Sequence, residues 1–389
     1  MDYSHLGLKA WPFRIVPEPE FCDFLADRTT LRQEVATLLA ALENRPTSDV
    51  QLIWSWYGAG KTHTLYYLAN QCAFKHERLL PVYVELPREA KSFIDLYRVT
   101  VSQFSIEQLI DAHLDYITRP VQKTGFNRSF DPDLNNALTQ TAVGGRPSEV
   151  LLQQWLLGNS LPAASHRELG VGGRINTTEK CSAVLADLIS LLSRRGSNPE
   201  ADPSGFQRII WIMDEVQRVE DFSPSVQRSV LSGLVGVFNR CPTGLTILLS
   251  YTGTPSEKAL PSWIPPDLAD RIGLERPMLL PPLRSDEAKL FVKDLVANFR
   301  LPECMHYGEF HPFEPECIDE VLRALGRHDN LKPRAIMEAL DVSLRNLEPL
   351  IRAGQMKSIG VQALRESLAK LPLSWTDAQP KKKERTRSR

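Results

Sequence analysis

Three short stretches concentrate residues that could handle a phosphate chain and a hard cation. The first is Gly58-Ala59-Gly60-Lys61-Thr62. Small residues let consecutive backbone N–H groups turn inward around an anion, and a helix opening at that point adds partial positive charge. Lys61 would reach the distal phosphates, and the Thr62 hydroxyl would bind Mg2+. The pattern GxxxxGK[ST] wants glycine four residues earlier than Ala59, where Ser55 stands. The second stretch, Ile209 to Glu215 (IIWIMDE), is an apolar run that ends in two carboxylates. Asp214 would serve the Mg2+ shell, and Glu215 would orient and polarise an attacking water. The competing reading of such a pair is a helix cap or a solvated acidic turn. The third stretch, Ser250-Tyr251-Thr252, places hydroxyls at the end of another apolar run.

These residues need a scaffold that brings strand ends together. Val50–Trp54 predicts a short buried strand running into the glycine turn, followed by a helix with Leu65, Leu68, Ala69 and Cys72 on one face. Further strands are predicted at Leu79–Leu86, Ile209–Met213 and Leu245–Leu249. Strands alternating with helical crossovers imply an α/β fold with a parallel sheet covered on both faces. Ahead of the first strand, Leu31, Val35, Leu38, Leu39 and Leu42 recur at helical spacing behind Thr29 and Thr30. Residues from about 92 to 195 read as a mostly helical insert with loops near 127–146 and 166–174. After Pro281-Pro282 the pattern is purely helical: Ser285 is placed to cap a first helix, and others start near Pro315 and Pro333. The expected division is a core over 1–283, a helical lid over 284–372 and a disordered basic tail over 373–389.

The whole chain, 389 residues, carries a formal net charge of −1. Six of its 46 basic residues and one of its 47 acidic residues fall in Lys381–Arg389, so that segment holds +5 and the chain before it −6. Such a tail suits an acidic partner such as nucleic acid, or a solubilising role. The start shows no secretory pattern, and no apolar run approaches the ~20 residues of a membrane span. The six cysteines form no CxxC pair, so reduced thiols and a cytoplasmic location are expected. Cys304, His306, His311 and Cys317 match no common zinc spacing.

Taken together, these motifs resemble the AAA+ ATPases. Within them they resemble the branch of origin-recognition initiators and signalling (STAND-like) ATPases, together with bacterial ATP-binding proteins of phage-defence (bacteriophage-exclusion) and transposition systems. WYGAGKT and MDE are similar to the family's Walker A and Walker B motifs, and Asp27-Arg28 to its segment near the adenine. The resemblance implies ATP and Mg2+ as cofactors. It implies nucleotide contacts from Arg28, Gly58, Ala59, Gly60, Lys61, Thr62 and His63, and metal contacts from Thr62 and Asp214. It implies Glu215 as the catalytic carboxylate and Ser250 or Thr252 as the sensor of the γ-phosphate. Asp270-Arg271 lies about where the arginine finger would be, with Arg276 a rival, and Lys332-Pro333-Arg334 resembles the start of the sensor-two helix. A finger acts on a neighbour's nucleotide, so a homo-oligomer is implied. Beyond the lid, no counterpart of the family's winged-helix DNA reader is expected.

These readings lead to an ATPase, with turnover slow and stimulated by a partner, that drives or regulates assembly on DNA in a defence or mobile-element system. DNA contact would come through Lys381–Arg389, alongside a protein partner and with no membrane. The alternative is a nucleotide-dependent signalling switch or ATP-binding adaptor without DNA contact.

Overall fold

A computed structural model describes residues 2–26, 28–118, 130–194, 206–254, 260–272, 277–326 and 331–369. The chain forms two compact units. One comprises Leu31–Tyr57 and Thr64–Leu280; the other comprises Met1–Thr30, Gly58–His63 and Pro281–Arg389.

The first of these units is built on a parallel sheet. Among the described residues its strands are β1 (Asp49–Ser55), β2 (Leu79–Glu85), β3 (Arg208–Asp214), β4 (Leu245–Thr252) and β5 (Met278–Leu280), in the order β2-β3-β4-β1-β5. β3 is buried along its whole length, as its unbroken apolar run requires of a strand covered on both faces. The register pairs Glu85 with Asp214, Met213 with Leu249 and Ser55 with Thr252. Because every strand runs the same way, the polar residues that end β1, β3 and β4 share one edge of the sheet. β5 pairs Trp54 with Leu279. Its three residues are too few to show a period, and the sequence reading did not find it.

Helix α1 (Thr29–Asn44) buries Leu31, Val35, Leu39 and Leu42, the stripe its spacing predicts; Leu38 lies partly exposed beside it. α2 (Lys61–Lys75) follows the glycine turn. The helical insert holds α3 (Phe93–Val101), α4 (Ile106–Thr118), α5 (Pro132–Gly144), α6 (Arg146–Leu156), α7 (Ala163–Leu169) and α8 (Thr178–Arg194). α3 opens on a reciprocal cap: Ser92 accepts from the Ile94 N–H, and Asp95 accepts from the Ser92 N–H. The loop expected near 127–146 is instead helical from Pro132 onward. Asp131 caps α5 by accepting from the Asp133 and Leu134 N–H groups, Pro132 occupies the first turn, and Leu134, Ala137, Leu138 and Thr141 face the core. The segment expected as a loop near 166–174 begins inside α7. α9 (Pro224–Arg240) and α10 (Pro266–Ile272) complete this unit.

The other unit is helical: α11 (Ser285–Asn298), α12 (Pro315–Gly326), α13 (Pro333–Arg352) and α14 (Val361–Leu368). Leu6, Leu8 and Phe13 of the N-terminal segment share one core with Phe291, Val292, Ile336, Leu340 and Leu344. Trp11 Nε1 donates to the buried Asp341 carboxylate at 2.7 Å, which fixes that segment against α13. Ser285 lies inside the first turn of α11 rather than capping it. The preceding residue, Arg284, has the extended cap geometry, and its N–H donates to Glu287 at 2.8 Å. All six cysteines are buried and none is bridged. Cys317 donates to the Ile359 carbonyl, and no group of three His, Cys, Asp or Glu among the described residues is arranged to hold a metal. No described helix is long and apolar enough to cross a membrane.

Candidate functional site

The glycine turn starts from a strand that runs further than the motif suggests. Ser55 is fully buried and still paired in β1, with Thr252 on one side and Leu280 on the other, and its carbonyl accepts from the Gly253 N–H at 3.0 Å. Its backbone is extended strand, so the position has no need of glycine, and this accounts for serine where the motif has glycine. The conformational demand falls instead on Gly58 and Gly60, with φ of 80° and 95°. Only glycine adopts such angles without steric cost. A Cβ built at Gly60 meets nothing within 4 Å, so the space beside that backbone is open. α2 begins at the next residue, and Lys61 is 7% exposed.

Arg28 and Arg334 bond to this turn, one by its side chain and the other by its backbone, and His63 follows it. Arg28 donates to the Ala59 carbonyl at 3.4 Å and to the Pro281 carbonyl at 3.2 Å, so its guanidinium braces the turn through the backbone. The Arg334 N–H donates to the Gly58 carbonyl at 3.2 Å, while its side chain pairs with Glu338 one helical turn on, Nε to Oε1 2.9 Å. His63 points into the N-terminal segment. Its Nε2 lies 2.8 Å from the Phe24 carbonyl, which can only accept, so Nε2 carries the proton; Nδ1 lies 3.3 Å from Cys22 Sγ. Burial holds the His63 imidazole below its usual pKa, against the opposing effects of the Phe24 carbonyl and Asp23. Burial also pushes the Cys22 thiol up to about 12. Both groups are therefore uncharged at neutral pH. Asp27 lies outside the described residues.

The acidic pair sits at the end of β3. Asp214 is 1% exposed and accepts from the Ser250 hydroxyl at 2.7 Å, the Tyr83 hydroxyl at 3.1 Å and the Glu215 N–H at 2.8 Å. A buried carboxylate is retained only where donors or a cation compensate its desolvation, and this donor set suits a carboxylate that serves a Mg2+ shell. Glu215 has φ 61° and is the one non-glycine residue with positive φ among the described residues. Such strain, of about 1–3 kcal/mol, gathers at working sites. Its carboxylate accepts from Gln217 Nε2 at 2.8 Å and lies 3.6 Å from Arg218 Nη2. Arg218 also pairs with Glu85 and donates to the Leu86 carbonyl.

The two hydroxyls at the end of β4 differ. Ser250 is fully buried and engaged with Asp214. Thr252 is partly exposed, and its N–H donates to Gln217 Oε1 at 3.1 Å. Arg271 stands on α10, donating to Asn239 at 2.8 Å with its guanidinium carbon 5.0 Å from the centre of the Phe238 ring. Arg276 and Lys381–Arg389 lie outside the described residues. Sequence reading missed Tyr83, Gln217, Arg218 and Glu85. The alternation along β2 places Tyr83 and Glu85 on one face, but nothing in the sequence aligns that face with Asp214.

No protein-family model matches the chain, and no curated protein does. Solved structures do. The Aeropyrum pernix ORC2 protein, solved as ADPNP–ADP complexes, superposes with a TM-score of 0.50 at 15% identity, covering 92% of this chain and 73% of that one. The Aeropyrum pernix ORC1 protein, solved in complex with DNA, gives a TM-score of 0.51 at 14% identity, covering 95% and 71%. At such identities the likeness is one of architecture, and this chain has an α/β AAA+ fold of the origin-recognition type.

Proposed function

We propose that the chain binds Mg-ATP at the Gly58–Thr62 turn and hydrolyses it, using the nucleotide cycle to drive or regulate assembly on DNA. The observation that carries this reading is the turn itself: two left-handed glycines, open space beside Gly60, and a helix starting at Lys61. Backbone N–H groups and a helix N-terminus in that arrangement form an anion cradle. In open α/β sheets, ligands bind outside the carboxyl ends of the strands, and the chain leaves the carboxyl end of β1 two residues before Gly58. Lys61 would hold the phosphates, and Thr62 and Asp214 would serve the Mg2+. Mg2+ would neutralise charge on the phosphates. Glu215, poised by Gln217 and Arg218, orients the water and takes its proton. Ser250 positions Asp214, leaving Thr252 as the γ-phosphate sensor. Arg28 and His63 support the turn, Arg334 acts at the start of the lid helix α13, and Arg271 acts as a finger toward a second copy. The proposed domains are a core over 1–283 with a helical insert over about 92–195, a lid over 284–372 and a basic tail over 373–389.

The DNA part of this reading draws on the likeness to a protein solved with DNA and on the basic segment Lys381–Arg389. A place in a defence or mobile-element system rests on the motif resemblance. ATP turnover measured with and without duplex DNA, on a sample of known oligomeric state, tests the whole. Slow hydrolysis that DNA accelerates is expected. Hydrolysis indifferent to DNA would favour the signalling switch, and absence of nucleotide binding would remove the proposal.

A further inference from the structure

Tyr83 belongs to no motif, yet it reaches the carboxylate proposed to serve the metal. β2 and β3 are parallel neighbours, with Tyr83 opposite Ile212 and Glu85 opposite Asp214. Residues two apart along a strand share a face, so Tyr83 and Asp214 lie diagonally on the same face of the sheet. That spacing is within the reach of an aromatic side chain, and the Tyr83 hydroxyl donates to Asp214 Oδ2 at 3.1 Å. The Tyr83 ring is itself located by Tyr66 of α2, with ring centres 4.7 Å apart. The other oxygen, Oδ1, accepts from Ser250 and from the Glu215 N–H. Both carboxylate oxygens are thus tied to rigid elements: β2 on one side, β4 and the strand end on the other.

We propose that Tyr83 is a positioning residue for Asp214, holding Oδ2 in the orientation in which the carboxylate serves the Mg2+ shell. The proposal rests on the Mg-ATP reading above. The physical basis is that groups bonded to a ligating carboxylate fix its rotamer, so that metal binding need not order it. Loss of such an outer partner typically costs 10–100-fold in metal affinity or activity. Tyr83 acts through Asp214, so its effect falls on the metal-dependent part of binding.

Direct ATP-binding titrations of the full chain, with EDTA and then over a series of free Mg2+ concentrations, separate the possibilities. For wild type, Mg2+ should tighten ATP binding. Tyr83→Phe keeps the ring against Tyr66. It should bind ATP as wild type does in EDTA and need about 10-fold more Mg2+ for the same gain. Ser250→Ala, which removes the side-chain donor on the other oxygen and leaves the Glu215 N–H, should shift the Mg2+ requirement in the same direction. A Tyr83→Phe protein with the wild-type Mg2+ requirement would overturn the assignment. So would one that loses affinity equally with and without Mg2+, because that is the mark of general structural damage. If wild-type binding ignores Mg2+, or ATP does not bind at all, the underlying reading falls first and this inference with it.

Discussion

The backbone N–H of Arg334 donates to the carbonyl oxygen of Gly58 at 3.2 Å. The first N–H groups of a helix have no partner within it. Here the second residue of α13 finds its acceptor in the glycine turn. The turn and the start of α13 are therefore joined by backbone, whatever the Arg334 side chain does. A Cβ at Gly58 would come within 3.3 Å of the Arg334 Cβ, and Gly58 already requires φ of 80°.

Gly58→Ala should accordingly destabilise the protein by about 1–2 kcal/mol through the left-handed backbone alone, with the tight approach to Arg334 adding to it. ATP affinity should fall as well, because the turn and α13 are displaced together. Denaturant unfolding and an ATP titration on the same variant check both effects; a variant as stable as wild type would contradict the strain argument.

Glu215 combines the proposed catalytic carboxylate with left-handed backbone. Glu215→Gln keeps the backbone and removes the base, so it should bind ATP normally and stall hydrolysis. Glu215→Gly should lose hydrolysis too, yet gain about 1 kcal/mol of stability where relief of strain outweighs the added chain entropy. Normal turnover in Glu215→Gln would place the base elsewhere.

The His63 imidazole is held neutral by burial, with its pKa below the usual 6.5. A depressed folded-state value means the unfolded chain binds the proton more readily. This contribution to stability is complete above about pH 6.5 and declines as pH falls toward the folded-state value. His113, lowered by burial, and His311, lowered by burial and then by Arg300, act in the same direction. Unfolding free energies at pH 7.5 and 5.5 should show wild type weakening on acidification. His63→Gln, which has nothing to titrate there, should weaken less; equal acid sensitivity would exclude His63 as a contributor.

The basic segment Lys381–Arg389 makes a separate prediction from its charge. Six phosphate contacts would give a log–log salt slope of about −5 on duplex DNA. Removing these nine residues should weaken DNA binding and flatten that slope, while ATP affinity stays unchanged. Identical slopes would turn the account toward the switch that makes no DNA contact.

Much of this was legible in the sequence where one local rule dominated. The apolar run of β3 ending in Asp214-Glu215, and the stripe Leu31, Val35, Leu39 and Leu42 of α1, each follow from burial acting on a single element. α5 was hidden because Asp133, Asn135 and Asn136 break up its apolar positions, although Asp131-Pro132 is a helix-start signal that could have revealed it. β5 exists only through pairing with β1, and three residues carry no periodic pattern. The sequence narrowed the polar tip of β4 to Ser250 or Thr252. Their difference lies in burial and in the bond from Ser250 to Asp214, which are tertiary facts. The same holds for Tyr83, for the Arg28 brace on Ala59 and for His63 turned toward Phe24. Each depends on which elements become neighbours.

The most direct test of the central claim is ATP binding by wild type and by Lys61→Ala, measured by titration in Mg2+. Lys61 is the only side-chain cation within Gly58–Thr62, and it follows directly on the open, left-handed Gly60. The account predicts saturable binding to wild type and none detectable to a folded Lys61→Ala protein. Equal affinity in the two proteins would contradict it.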